Sequence, residues 1–450
     1  MSEALPTTLD AWLARLEAAH PVGIDLGLER VAEVARRMEL FARPLAGRVI
    51  TVAGTNGKGS TVAMLEALGH AHGLTTATYT SPHLIRYSER LRLDGEEADD
   101  TTLIAGFEAV EQARQAGEPI SLTYFEVGTL GALWAISRRP PDLAILEVGL
   151  GGRLDAVNII DPDVAVVTTV AQDHAAFLGT DLEQIGREKA GIMRAGRPAV
   201  LGSRTLPSSV RETADRIGAP VHALGEAFVR EGEGEGWCWR GGPVGSVPRG
   251  SGSDPAAILS DLPDPGLPLD NAATALQALG LADVTLEPDA CRQALATVRL
   301  PGRMQWWGRW CLDVGHNPQA ATYLAKRLQA RPCGGRTLAL LAMLGDKDAD
   351  GVIAALAPVV DGWVPASLAG ERARSADELA ERLAAQGESV LHRATSPGEA
   401  VEWLATRLGN EDRVLVCGSF LTVGEGLQRL ASLGPSVQTD SDQSSREIAS

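Results

Sequence analysis

Short apolar runs rich in β-branched residues alternate with stretches whose apolar positions recur every three or four residues, almost from end to end of the chain. The first kind of run reads as a buried strand and the second as a helix packed on one face. In a first block this pattern predicts strands at Val49–Ala53, Thr75–Thr80, Leu143–Val148 and Val164–Thr169, with helices following Ser60, Asp100, Thr123 and Asp181. A second block predicts strands at Trp310–Val314, Thr337–Met343, Gly362–Pro365 and Arg413–Cys417, with helices after Asn317, Asp348, Ser375, Ser396 and Thr422. Such alternation predicts βαβ units, and hence an α/β fold of two domains, each a mostly parallel sheet with flanking helices.

The blocks divide where Pro301-Gly302 interrupts a helix that begins near Pro288, between Val298 and Arg303. We therefore assign residues 1–298 to an N-terminal domain and 299–433 to a smaller C-terminal one, joined by a hinge of few residues. Gly225–Pro265, rich in Gly, Pro, Ser and Asp around Trp237 and Trp239, reads as a hairpin with exposed loops. Residues 434–450, dominated by Ser, Asp and Gln, have too little apolar surface to bury and are expected to stay disordered.

At 450 residues the chain is long enough for large cores without staples. Its five cysteines, Cys238, Cys291, Cys311, Cys333 and Cys417, are widely spaced, with no C-x-x-C pair to hold zinc, and read as free thiols in a reducing compartment. Neither a secretory leader nor a run of about 18 apolar residues occurs, so a cytoplasmic location without membrane contact is expected. The net charge of −17 disfavours a nucleic-acid partner held by its phosphates, while small anionic ligands remain compatible with local basic groups.

Chemistry enters with Gly54-Thr55-Asn56-Gly57-Lys58-Gly59-Ser60-Thr61, which leads from the first strand into a helix. Glycines let the backbone approach a phosphate, helix N-terminal amides point at it, and Lys58 adds charge. The pattern is a variant of the G-x-x-x-x-G-K-[ST] loop, because Val52 stands at the first glycine and Gly59 separates Lys58 from the hydroxyls.

Glu147 ends the third predicted strand, where a parallel sheet presents ligands, and suits Mg²⁺; a strand-end ion pair with Arg153 is the alternative. His174 follows the next strand, and Ser81 in Thr80-Ser81-Pro82-His83-Leu84 offers a hydroxyl at the same edge. Lys189, on an amphipathic helix, is either solvated or turned inward, where burial favours a neutral amine able to capture CO₂ as a carbamate. Asp313 can accept from a ribose hydroxyl, His316 can face phosphate, and Asn317-Pro318 caps a helix. Arg303 bridges onto phosphates or pairs with a surface acid.

In their order these motifs, with Glu147 through Ala156, Arg187 through Ile192, Pro301-Gly302-Arg303, Asp346-Lys347-Asp348 and Gly418-Ser419-Phe420, resemble the folylpolyglutamate synthase family within the muramyl-peptide ligases. The segment Ser121 through Glu126 is similar to that of bifunctional members that also make dihydrofolate. The resemblance implies a P-loop ATPase-like N-terminal domain and a Rossmann-like C-terminal one. It implies that L-glutamate is joined to dihydropteroate or to folates at the expense of ATP, with two Mg²⁺, in a monomer. It assigns Asn56, Gly57, Lys58, Gly59, Ser60, Asn271, Arg303 and Asp313 to ATP, and Ser81, Glu147 and His174 to the metals. It further assigns Thr123, Tyr124, Phe125, Glu126, Leu154, Asp155 and Ala156 to the pterin-bearing substrate, and catalytic roles to Lys58, His316 and Lys189, the last as a carbamylated lysine. A monofunctional polyglutamate synthase, a cell-wall amino-acid ligase and a non-catalytic nucleotide switch remain the alternatives.

Overall fold

The computed structural model describes residues 5–19, 25–242, 257–370 and 372–434. The tail beyond Gly434 and the middle of the Gly225–Pro265 stretch lie outside these residues. The chain divides into two α/β units: Met1–Gln172 with Leu178–Arg299, and Asp173–Phe177 with the chain from Leu300 onward.

Among the described residues the first unit holds an eight-stranded sheet. Its strands are β1 (Arg48–Ala53), β2 (Thr76–Tyr79), β3 (Leu91–Leu93), β4 (Glu96–Glu97), β5 (Leu143–Glu147), β6 (Val164–Val167), β7 (Ala199–Leu201) and β8 (Val221–Ala223). The order is β4-β3-β2-β5-β1-β6-β7-β8, with β3 and β4 antiparallel at one edge and the rest parallel. All residues of β5 and β6 are buried, as expected when helices cover both faces of a parallel sheet. The helix Lys58–Ala71 packs against helices Leu269–Leu281 and Pro288–Thr297. Helices Asp100–Gln115 and Tyr124–Arg138 pack on each other and contribute to a core with Trp12 and Phe107.

Strand order places the chemistry. From β1 the chain crosses to β2 on one side, while β6 pairs on the other, so the loop after β1 opens at a topological switch point. Val52 pairs with Glu147 on one flank and Ala53 with Val167 on the other. The predicted hairpin is formed by β9 (Phe228–Glu231) and β10 (Trp237–Gly241), and β11 (Ala257–Leu262) widens it to a three-stranded antiparallel sheet. Trp237 and Trp239, expected in exposed surroundings, are fully buried, because alternate residues of β10 face inward.

The second unit is built on β12 (Gln305–Trp307), β13 (Trp310–Asp313), β14 (Thr337–Leu341), β15 (Gly362–Pro365) and β16 (Arg413–Cys417). They lie in the order β12-β13-β16-β14-β15, parallel except for the β12–β13 hairpin. Its helices begin at side-chain caps: Asn317, Asp348, Ser375, Ser396 and Ser419 each accept from an amide of the first turn. Among the described residues no helix is long and apolar enough to cross a membrane.

Candidate active site

The loop after β1 is held open by its neighbours rather than by itself. Thr55 N–H donates to the Thr169 carbonyl at 2.8 Å and Asn56 N–H to Thr169 Oγ1 at 2.9 Å. Thr168 and Thr169 Oγ1 donate back to the Asn56 carbonyl at 2.7 and 3.0 Å. Gly57, at φ +87°, is the N-cap of helix Lys58–Ala71 and has no side chain to cap it, which leaves that helix turn suited to an anion. A Cβ on Gly57 would also meet Asn271 Nδ2 at 2.7 Å, and one on Gly54 would collide with Thr168 Oγ1. The loop therefore requires glycine on conformational and steric grounds.

Lys58 Nζ turns back over the loop, 3.0 Å from the Gly54 carbonyl and 3.4 Å from that of Thr55. Buried Asn271 donates from Nδ2 to Ser60 Oγ at 2.8 Å, so it braces the loop from helix Leu269–Leu281. Ser60 Oγ in turn donates to the Gly57 carbonyl at 3.1 Å, so removing the Asn271 side chain would break one link of this chain at a cost of about 1 kcal/mol. Asn56, Gly57, Lys58, Gly59, Ser60 and Asn271 thus form one structure, whose amide and ammonium donors are of the kind that can hold a phosphate.

Beside it, Ser81 follows β2 and Glu147 ends β5, and the strand register brings them together: Ser81 N–H donates to Glu147 Oε2 at 3.3 Å. Glu147 is buried. Arg153, its suspected ion-pair partner, pairs with Glu188 instead at 2.8 Å. Among the described residues no group of three or more His, Cys, Asp or Glu gathers as a metal cage. A carboxylate and a hydroxyl at a phosphate loop nevertheless suit Mg²⁺, which usually keeps waters and shares its ligands with substrate phosphates. Lys189, on helix Leu182–Ala190, is buried at 4 % exposure, which overturns the solvated alternative. Its backbone packs on Gly152, where a Cβ would meet the Lys189 carbonyl at 3.0 Å.

The pterin-side residues divide by what their side chains already do. Thr123 caps helix Tyr124–Arg138 and Glu126 completes a capping box, its Oε2 accepting from Thr123 N–H at 2.7 Å and its Oε1 pairing with Arg30 at 2.8 Å. Buried Asp155 accepts from the amides of Leu150 and Val157 at 2.8 and 3.0 Å, fixing the turn that carries Leu154 and Ala156. Burial pushes the Asp155 carboxyl up to about 6 against those amides and the Lys58 charge. Tyr124 and Phe125 keep part of their surface exposed, and the Phe125 ring occupies the space where a Gly149 Cβ would stand, 2.5 Å away.

The second unit carries His174, Arg303, Asp313 and His316. Both Asp313 oxygens accept backbone amides, from Gly315 at 2.7 Å and Met304 at 2.9 Å, and burial raises its pKa despite the Arg303 charge. The Arg303 guanidinium lies 5.0 Å from the Phe420 ring centroid. Asp173 is the centre of a cluster: Oδ1 pairs with Lys347 Nζ at 2.5 Å and Oδ2 lies 3.3 Å from His316 Nε2. Burial pushes the Asp173 carboxyl up, but the His316 hydrogen bond and the charges of His174 and Lys347 outweigh it and hold its pKa well below 3.8. His174 adopts φ +51°, in the left-handed region that a histidine enters only under local constraint.

Sequence reasoning gave no role to Thr168, Thr169, Asp173 or Lys347. The adjacent Thr168-Thr169 hydroxyls after an apolar run were a usable signal, whereas the Asp173–Lys347 pair joins positions 174 residues apart and leaves none.

Comparison with known proteins gives the following. The Mur ligase middle domain matches residues 52–204, and the Mur ligase glutamate ligase domain matches residues 302–420. The dihydrofolate synthase/folylpolyglutamate synthase of Escherichia coli K12 is 44% identical over 423 residues, covering 93% of this chain and 95% of the relative. The solved structure of E. coli FolC in complex with DHPP and ADP aligns with TM-score 0.87 at 42% identity, over 95% of this chain and 98% of that one. A bifunctional folylpolyglutamate synthase/dihydrofolate synthase with Mn, AMPPNP and L-glutamate bound aligns with TM-score 0.83 at 42% identity, over 94% and 98%.

Proposed function

Because this chain belongs to the dihydrofolate synthase/folylpolyglutamate synthase family of Mur ligases, we propose that it joins L-glutamate to dihydropteroate and to folates in an ATP-dependent amide ligation. The single observation that carries this beyond kinship is the brace of the glycine-lysine loop to the end of β6 and to helix Leu269–Leu281, with the Ser81–Glu147 pair on the adjoining strands. That arrangement suits a nucleotide triphosphate and a divalent cation.

In this reading an acceptor carboxylate oxygen attacks the γ-phosphorus of ATP, ADP leaves, and the amine of glutamate displaces phosphate from the acyl phosphate. Lys58 and the first-turn amides hold the phosphates and offset charge as it shifts towards ADP. Ser81 and Glu147 would hold one Mg²⁺ and His174 would hold a second. When bound, the cations neutralise phosphate charge and orient the transferring group. Lys189 as a carbamate would supply a further anion in a buried setting. Asn271, Arg303 and Asp313 serve the nucleotide, His316 serves catalysis, and Tyr124 and Phe125 offer aromatic surface to the pterin end. The enzyme works in the cytoplasm as a monomer, on small molecules alone.

The test is to supply purified protein with ATP, Mg²⁺, glutamate and either dihydropteroate or tetrahydrofolate. ADP release dependent on glutamate with both acceptors is expected. Release with folate but never with dihydropteroate reduces the activity to polyglutamylation, and no release with either refutes the ligase.

A further inference from the structure

Among the described residues no carboxylate pairs with Arg90, a buried cation. It is 9 % exposed and, among the described residues, makes no ion pair. Its Nε donates to His83 Nδ1 at 2.9 Å, and its guanidinium carbon lies 5.1 Å from the Tyr87 ring centroid and 5.5 Å from that of Tyr124. His83 accepts that bond through a ring nitrogen and so brings Arg90 no negative charge. The adjacent acid, Glu89, is spent on the backbone amides of Leu84, Ile85 and Arg86.

A buried charge without a counter-ion is costly unless a partner arrives from outside. The two terminal nitrogens of Arg90 make no hydrogen bond to any described residue, leaving a planar fork whose geometry matches a carboxylate. Its place in the sheet points the same way. Thr80 N–H donates to the Arg90 carbonyl at 2.8 Å, so Arg90 stands in register one residue from Ser81, at the edge that carries Glu147. Tyr124, one of the two rings flanking it, opens the helix that begins at the Thr123 cap.

We propose that Arg90 is a specificity residue that receives a carboxylate of the acid acceptor at this edge, a role that rests on the ligase reading above. Two carboxylates qualify: the one that reacts, present in every acceptor, and the non-reacting α-carboxylate of a glutamyl tail, present only in folates. Cation–π contact orients the fork and His83 fixes its rotation, so the donors face the ligand without further ordering.

Steady-state kinetics on full-length wild-type, Arg90→Gln and Arg90→Lys protein test this. In Arg90→Gln the acceptor KM should rise on the order of 10- to 100-fold. The ATP KM and kcat should stay within about 3-fold. Arg90→Lys should recover part of the loss, because it keeps the charge without the fork. A rise with both dihydropteroate and tetrahydrofolate assigns the reacting carboxylate, and a rise with folate alone assigns the α-carboxylate. Unchanged acceptor KM with an active wild type overturns this proposal and leaves the ligase standing; an inactive wild type overturns both. Should the variants not fold, phenylglyoxal labelling of the wild type decides the matter. Acceptor added to ATP should protect Arg90 beyond ATP alone, and equal labelling would refute the role.

Discussion

Lys58 already has work to do, since its ammonium is held by the carbonyls of its own loop. Replacing it with alanine should therefore loosen the loop slightly and remove the phosphate cation altogether. We expect kcat/KM for ATP to fall on the order of 10²–10³-fold, with the acceptor's affinity far less affected, as measured by initial rates and by acceptor titration. Equal losses for both substrates would contradict a phosphate role. For Lys189, burial rather than motif now motivates the expectation. Lys189→Ala should be nearly inactive and regain activity with formate or acetate, whereas wild-type rates in the variant would dispose of a carbamate. Single residues were legible when their chemistry was local: the loop glycines, the Asn317 cap and the strand-end Glu147 all follow from neighbours in sequence. Glu126 and Asp155 were legible as motif members only. Their carboxylates prove to be spent on amides and, for Glu126, on Arg30, which no local pattern announces.

At the scale of elements, the segment Asp173–Phe177 leaves the first unit's run of chain and packs with the second, anchored by Asp173 to Lys347 and His316. Its depressed carboxyl pKa fixes the sign of a pH effect. The stabilisation is present above the ordinary 3.8 and is lost as pH falls through the lower folded value. Asp173→Asn should cost about 2 kcal/mol at pH 7, because it removes the 2.5 Å partner of the buried Lys347 ammonium and leaves it only Asp346, at 3.8 Å. That gap should narrow as both proteins are taken below pH 3.8, where Asp173 of the unfolded wild-type chain takes up a proton that the folded carboxylate still refuses. Denaturant unfolding at pH 7 and pH 3 reads it, and a gap of constant size would contradict the pairing. Strands with long apolar runs, such as β5 and β14, were legible from the pattern. The two- and three-residue strands β3, β4, β7, β8 and β12 were not, since they are set by pairing with neighbours already in place.

For the whole molecule, alternating strands and helices announce two α/β units, and the Pro301-Gly302 break announces where the second begins. What the pattern cannot carry is an excursion such as Asp173–Phe177, because contacts between positions far apart in sequence leave no periodicity. The account of function rests on phosphoryl transfer from ATP to the acceptor's carboxyl oxygen before glutamate attacks. Dihydropteroate labelled with ¹⁸O in its carboxylate, turned over with ATP, Mg²⁺ and glutamate, tests this directly. Mass spectrometry of the released phosphate should find one ¹⁸O per phosphate formed. Phosphate free of label, alongside normal product, would contradict an acyl phosphate and with it the mechanism derived for this chain.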